Sequence, residues 1–241
     1  MSNFSVAAIF SNHCVLQRNK NISIFGTADS GTLISVELYN SKNELLTSNK
    51  SRTTENRWLV QLLPQIEQTD CVLKIKSDSK EVVFSDVSIG EVWIAGGQSN
   101  MEFELQNCTE GPEELKIQNN PKIRFYYTNK IGWKDDAFYE AERNTSWQTW
   151  DSEWKKAWSA VGYFFGKKLS EDLNVTVGII GCNWGGTSAS AWMNKESLEK
   201  DDDLRTYLIE QEEATKGKTI QQQCEEYDKY VIENDEWQKK C

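Results

Sequence analysis

The sequence predicts an α/β protein in which an antiparallel, sandwich-like β region leads into part of a parallel sheet. Three observations carry that expectation. Apolar and polar residues alternate in short runs through residues 1–86. Two later runs, Glu91–Ala95 and Val175–Ile180, lack the alternation and read as strands covered on both faces. Between them Trp154, Trp158, Val161, Phe165 and Leu169 recur at three- and four-residue spacing, as on a helix with one buried stripe.

Taken in order, Ile22 and Ile24 alternate with Ser23 and Phe25 before the break Gly26-Thr27-Ala28-Asp29-Ser30-Gly31. Ile34, Val36 and Leu38 mark the next strand, Trp58, Val60 and Leu62 another, and Cys71, Leu73 and Ile75 a further one. Period-two alternation between polar turns predicts antiparallel sheet wetted on one side, and several such strands make a small sandwich. The rhythm changes near Val87. Strand, helix, strand then implies parallel pairing, which puts ligands beyond the C-terminal ends of the strands. From about Glu196 the chain is polar and helical, with an uneven apolar face from Leu198, Leu204, Leu208 and Ile209. The division is thus 1–86 and 87–241. Two core strands are too few for a complete doubly wound sheet, so the chain is expected to be part of a larger polypeptide.

Composition narrows the function classes. The chain has 241 residues and a formal charge of -10, from 37 acidic and 27 basic side chains. That balance argues against broad contact with a nucleic-acid backbone, which needs a positive surface. No apolar run approaches the roughly 18 residues of a membrane span. Cys14, Cys71, Cys108, Cys182, Cys224 and Cys241 are widely spaced and form no metal-ligand cluster. They read as isolated thiols, with one or two disulfides as the alternative.

Both expected core strands run into glycine-containing turns. The first gives Gly96-Gly97-Gln98-Ser99-Asn100-Met101. The glycines permit a sharp turn that exposes Ser99 and aims a backbone amide into the site. A serine nucleophile needs such a donor, because negative charge develops on the carbonyl oxygen during attack. The same residues also suit a serine that caps the next helix through Glu102. The second turn is Gly181-Cys182-Asn183-Trp184-Gly185-Gly186-Thr187-Ser188-Ala189-Ser190-Ala191-Trp192. Paired glycines bring backbone N–H groups close to a ligand, Thr187 adds a hydroxyl, and Trp184 and Trp192 offer faces for a sugar ring. A tight connection with packing tryptophans is the other reading.

Gly97-Gln98-Ser99-Asn100-Met101 and Gly185-Gly186-Thr187 through Ala191-Trp192 resemble the sialate O-acetylesterase family of carbohydrate esterases, in the SGNH-hydrolase superfamily. Val15-Leu16-Gln17-Arg18 and Gly26-Thr27-Ala28 extend the resemblance to the N-terminal region, so it covers most of the chain up to about residue 195. It implies a three-layer α/β/α domain bearing a small β-rich domain, and hydrolysis with neither metal nor organic cofactor. It makes Ser99 the nucleophile. It makes the amides of Ser99 and Gly186, with Gly185 as the lesser candidate, the oxyanion donors. Gln98, Asn100, Asn183, Trp184, Thr187 and Trp192 become candidate substrate contacts. The implied substrate is an O-acetylated sialic acid; a related acetylated carbohydrate such as xylan is the alternative. Family habit points to a periplasmic, secreted or lysosomal setting.

The resemblance also exposes a gap. The family's later Gln-Gly-Glu segment and its aspartate and histidine are absent, and the region after Glu196 resembles an insertion that precedes them. The only histidine, His13, lies in the β-rich region, where a turn or packing role suits it better than the role of base. Glu102 and Glu104 are near Ser99, but a carboxylate is a weak substitute for imidazole near neutral pH. The general base is therefore expected outside this chain, in a C-terminal segment that is either missing or a separate chain. A non-catalytic carbohydrate-binding module is the competing class.

Overall fold

The computed structural model describes residues 4–78, 80–118, 122–132 and 136–240; Cys241 lies outside them. Its strands are β1 (Ser5–Val6), β2 (Val15–Gln17), β3 (Ile22–Thr27), β4 (Leu33–Tyr39), β5 (Leu45–Arg52), β6 (Arg57–Leu62), β7 (Gln68–Lys76), β8 (Glu81–Gly97), β9 (Ile123–Tyr127) and β10 (Val177–Asn183). Its helices are α1 (Ser99–Glu102), α2 (Gly111–Glu114), α3 (Asp136–Asn144), α4 (Ala160–Leu173), α5 (Lys195–Glu199), α6 (Asp202–Thr215) and α7 (Ile220–Gln238). Two compact units result: Met1–Lys130 with Tyr139–Gly185, and Ile131–Phe138 with Gly186–Cys241.

The first unit is a mixed α/β structure with two sheets. One has the order β1-β3-β6; the other runs β5-β4-β7-β8-β10-β9, with β2 also paired to β8. Ile24, Val60 and Leu62 of the small sheet share a buried cluster with Val36, Leu38, Leu73 and Ile75 of the large one. The alternation read in the sequence is what lets each strand bury one face there.

The change of rhythm at Val87 is a bulge inside one strand. Leu73 pairs with Phe84 and Cys71 with Val87, so two residues of β8 oppose one of β7. Asp86 takes the left-handed conformation there, with φ 51. The inserted residue inverts the in/out sequence of side chains, which mimics a boundary between elements. Beyond it β8 runs parallel to β10, from Glu91 opposite Val177 to Gly97 opposite Asn183. β9 pairs parallel on the far side of β10. Sequence reading did not find β9, because Arg124 interrupts its apolar run.

Two expectations need correction. β8 was expected to be covered on both faces, yet Trp93 is half-exposed and Ile94 is 72% exposed. The edge of its Glu91–Gly97 half opposite β10 carries no strand among the described residues. The expected helix stripe is also displaced. Glu153–Ala157 is a 3-10 turn, and α4 begins only after Ser159, whose hydroxyl accepts from the Gly162 N–H at 3.0 Å. The face of α4 against the sheet is Ala160, Gly162, Tyr163, Gly166 and Ser170. A Cβ on Gly162 would stand 3.1 Å from Phe125 and 3.2 Å from Ile179, so these glycines let helix and sheet approach closely. Trp158 is fully buried, but Trp154, Val161 and Phe165 face outward. Leu169 packs on the same core as Trp158, so the expected stripe is buried in part.

Trp158 stacks on Phe125 at 4.6 Å, and Trp150 on Tyr163 at 5.0 Å. Their indole N–H groups reach Gln148 Oε1 at 2.9 Å and Ile117 O at 2.6 Å, so the aromatic core leaves neither donor unpaired. None of the five described cysteines forms a disulfide. In the second unit, α5, α6 and α7 realise the expected helical tail, α7 opening on a capping box between Thr219 and Gln222. No described helix is long and apolar enough to cross a membrane.

Candidate active site

The parallel register brings the C-terminal ends of β8, β10 and β9 to one edge of the sheet. At the end of β8, Gly97 has φ +149, a conformation that disfavours any side chain. The Met101 and Glu102 N–H groups both donate to the Gln98 carbonyl at 2.9 Å, so the chain turns at once into α1. Ser99 opens that helix and does not cap it. Gln98 holds the cap position, and the Ser99 hydroxyl donates to Gln98 Oε1 at 2.9 Å. Ser99 and Asn100 are both exposed.

The end of β10 is fastened beside this turn. The Trp184 N–H donates to the Gly97 carbonyl at 3.0 Å. A Cβ built on Gly185 would lie 3.7 Å from the Ser99 Cα and 2.8 Å from Glu102 Oε2. Gly185 is thus the residue where the second motif passes beside the serine turn. Its N–H donates to Glu102 Oε2, and Glu102 Oε1 is ion-paired with Lys130. The Lys130 bond, helped by the Gly185 N–H, outweighs desolvation and holds the Glu102 carboxyl below its ordinary range.

Asn183 is only 4% exposed; its amide donates to the Ala95 carbonyl at 3.3 Å, and its Oδ1 has no partner among the described residues. It lines a cavity of about 360 Å³ with Glu102, Glu104, Lys130, Gln148 and Trp154. Trp154 presents an indole that is 68% exposed. Tyr127, also on the wall, accepts from the Ser159 N–H at 2.7 Å, and burial pushes its phenol up to about 12, so it stays neutral.

The structure therefore brings Gln98, Ser99, Asn183, Trp184 and Gly185 to one strand edge, with Asn100 beside Ser99. Gly186, Thr187 and Trp192 belong to the second unit. There Gly186 has φ +79, and the Trp192 indole N–H donates to Thr187 Oγ1 at 2.8 Å. Sequence reading missed Lys130, Gln148 and the cavity role of Trp154. Lys130 follows the unrecognised β9, and Trp154 was absorbed into the helix stripe. His13 occupies a left-handed turn position with φ 68, and its Nδ1 is 2.6 Å from Asp86 Oδ2.

Comparison with known proteins identifies the family. Residues 89–222 match the model of the family described as carbohydrate esterase, sialic acid-specific acetylesterase. Sialate O-acetylesterase of Homo sapiens is 25% identical over 208 residues, covering 81% of this chain and 40% of the relative. The Mus musculus protein of that name is 24% identical, with 81% and 38% covered. A carbohydrate acetylesterase from Xanthomonas citri superposes with a TM-score of 0.70 at 25% identity, covering 84% of this chain and 45% of that one. The chain spans about two-fifths of the length of the curated relatives it matches. With more than half of its residues inside the family's match, this chain belongs to the sialic acid-specific acetylesterase family of carbohydrate esterases, within the SGNH hydrolases.

Proposed function

We propose that Ser99 is the nucleophile of an esterase that removes O-acetyl groups from sialic acid. The observation that carries the reading is the exposed Ser99 at the end of β8, with Gly185 near enough that a Cβ there would stand 3.7 Å from its Cα. Ser99 Oγ attacks the acetyl carbonyl carbon while a base takes its proton. The tetrahedral oxyanion receives the Ser99 N–H and a second donor from the glycine segment that follows β10. Collapse expels the sugar oxygen, which takes the proton and leaves as a hydroxyl. Water then attacks the acetyl-serine ester, and acetate departs with Ser99 restored.

The base comes from sequence beyond these 241 residues. Three observations support this: His13 pairs with Asp86 at the bulge of β8, away from the strand end that carries Ser99; both Glu102 oxygens are held, by Lys130 and Gly185; and among the described residues no strand covers the Glu91–Gly97 edge of β8 beside the exposed Trp93 and Ile94. Phe165 of α4 meets Trp93 edge-on at 5.1 Å and extends that apolar surface. A further strand and helix would bury it and complete the sheet. The chain alone is expected to release no acetate above background, and activity should appear when the remaining sequence is present. An active isolated chain would sink the proposal.

A second reading, an acetylated neutral sugar such as a xylooligosaccharide, is favoured by the cavity's charge. Glu102 and Glu104 line it, and Lys130 is held by Glu102. Rates of acetate release from an O-acetylated sialic acid and from an acetylated xylooligosaccharide decide between them. With the preferred sugar, Trp154→Ala should raise KM about tenfold and leave kcat nearly unchanged, since stacking on an aromatic ring is binding made equally before and during reaction. An unchanged KM would remove Trp154 from the sugar site.

A further inference from the structure

The Glu102 side chain has an unusual position for a surface carboxylate of a four-residue helix. It lies one turn from the nucleophile, and its two oxygens face different partners. Oε2 accepts the Gly185 N–H and Oε1 meets Lys130, which follows β9. The three segments that end at this sheet edge are therefore joined through one carboxylate. The space for it exists because residue 185 is glycine: a Cβ there would stand 2.8 Å from Oε2.

We propose that Glu102 is a positioning residue, which clamps Gly185 beside Ser99 and so holds the end of β10 in register with the serine turn for catalysis. This inference rests on Ser99 being the nucleophile. Two consequences distinguish a clamp from a proton carrier. First, the Gly185 amide is spent on Glu102 and does not itself meet the oxyanion. Second, the clamp is stronger with an ionised carboxylate than with a neutral acceptor, and Lys130 keeps Glu102 ionised at pH values where a free glutamate takes up a proton. An alternative in which Glu102 serves as the base fails on the same contacts, because both oxygens are committed to donors.

The test uses the complete polypeptide with the O-acetylated sugar that it hydrolyses fastest. Glu102→Ala should lower kcat about 10- to 100-fold, the scale of a misplaced catalytic geometry, with KM within about twofold. Glu102→Gln keeps an acceptor for the Gly185 N–H and should recover part of the loss. Lys130→Met leaves Glu102 in place but frees it to protonate, so the acid limb of the kcat profile should move to higher pH. Glu102→Ala with wild-type kcat, or with its loss entirely in KM, overturns the clamp. If Glu102→Ala fails to fold, Lys130→Met decides, and an unmoved acid limb overturns it. Ser99→Ala run in parallel separates the two claims. An active Ser99→Ala refutes the nucleophile, whereas an inactive Ser99→Ala beside a fully active Glu102→Ala refutes only the clamp.

Discussion

Ser99→Ala is expected to reduce acetate release from the complete polypeptide by at least about 10³-fold, or about 4 kcal/mol of transition-state stabilisation. The loss has a floor because the oxyanion donors and the sugar site remain in the variant. Folding should be unaffected. The Ser99 hydroxyl is exposed and donates only to the neighbouring Gln98 side chain, so its removal should cost no more than about 0.5 kcal/mol. That separation of activity from stability makes the variant informative: a folded, inactive protein supports the nucleophile. Unchanged turnover with a folded protein would remove Ser99 from the mechanism.

Much of the fold could be read from the sequence where a signal was local. The β3, β4, β6 and β7 strands announce themselves by alternation, because each buries one face against the other sheet. The glycine turns after β8 and β10 were equally plain, and both lie at the strand ends where the parallel register places them. What escaped depended on partners distant in the chain. β9 was hidden by Arg124, whose charge is satisfied only by residues from the β-rich part. The helix stripe was misassigned because Gly162 and Gly166, with no side chains to register as apolar, form the close contact with Ile179. The larger residues on the neighbouring face then point outward. Glu102 was noticed beside Ser99 as an unsuitable base or a helix cap, yet its two bonds reach 28 and 83 residues along the chain. No spacing rule could have found them.

Arg124→Met should destabilise the fold by about 3 kcal/mol. Arg124 is 5% exposed, and its guanidinium donates to three acceptors on two residues: the His13 carbonyl at 2.9 Å, the Asp86 carbonyl, and Asp86 Oδ1 at 2.7 Å. It therefore fixes the bulge of β8 and the turn before β2 against β9. Methionine keeps most of the volume but leaves those acceptors without the donor. The figure stands at the low end for breaking a buried pair because the Asp86 side chain is 34% exposed and retains His13. The pH dependence carries a sign. Burial alone would raise the Asp86 carboxyl, but the His13 bond and the Arg124 charge outweigh it and hold the group below its ordinary range. A carboxyl lowered on folding stabilises the native state above its unfolded pKa, and that contribution disappears as pH falls through the folded value. With methionine at 124 the opposing burial has less to overcome, so the loss on acidification should begin at higher pH. Denaturant unfolding of both proteins between neutral and mildly acidic pH measures the two effects together. Equal stability at neutral pH would show that the Arg124 bonds contribute no net free energy, and parallel acid profiles would separate Asp86 from Arg124.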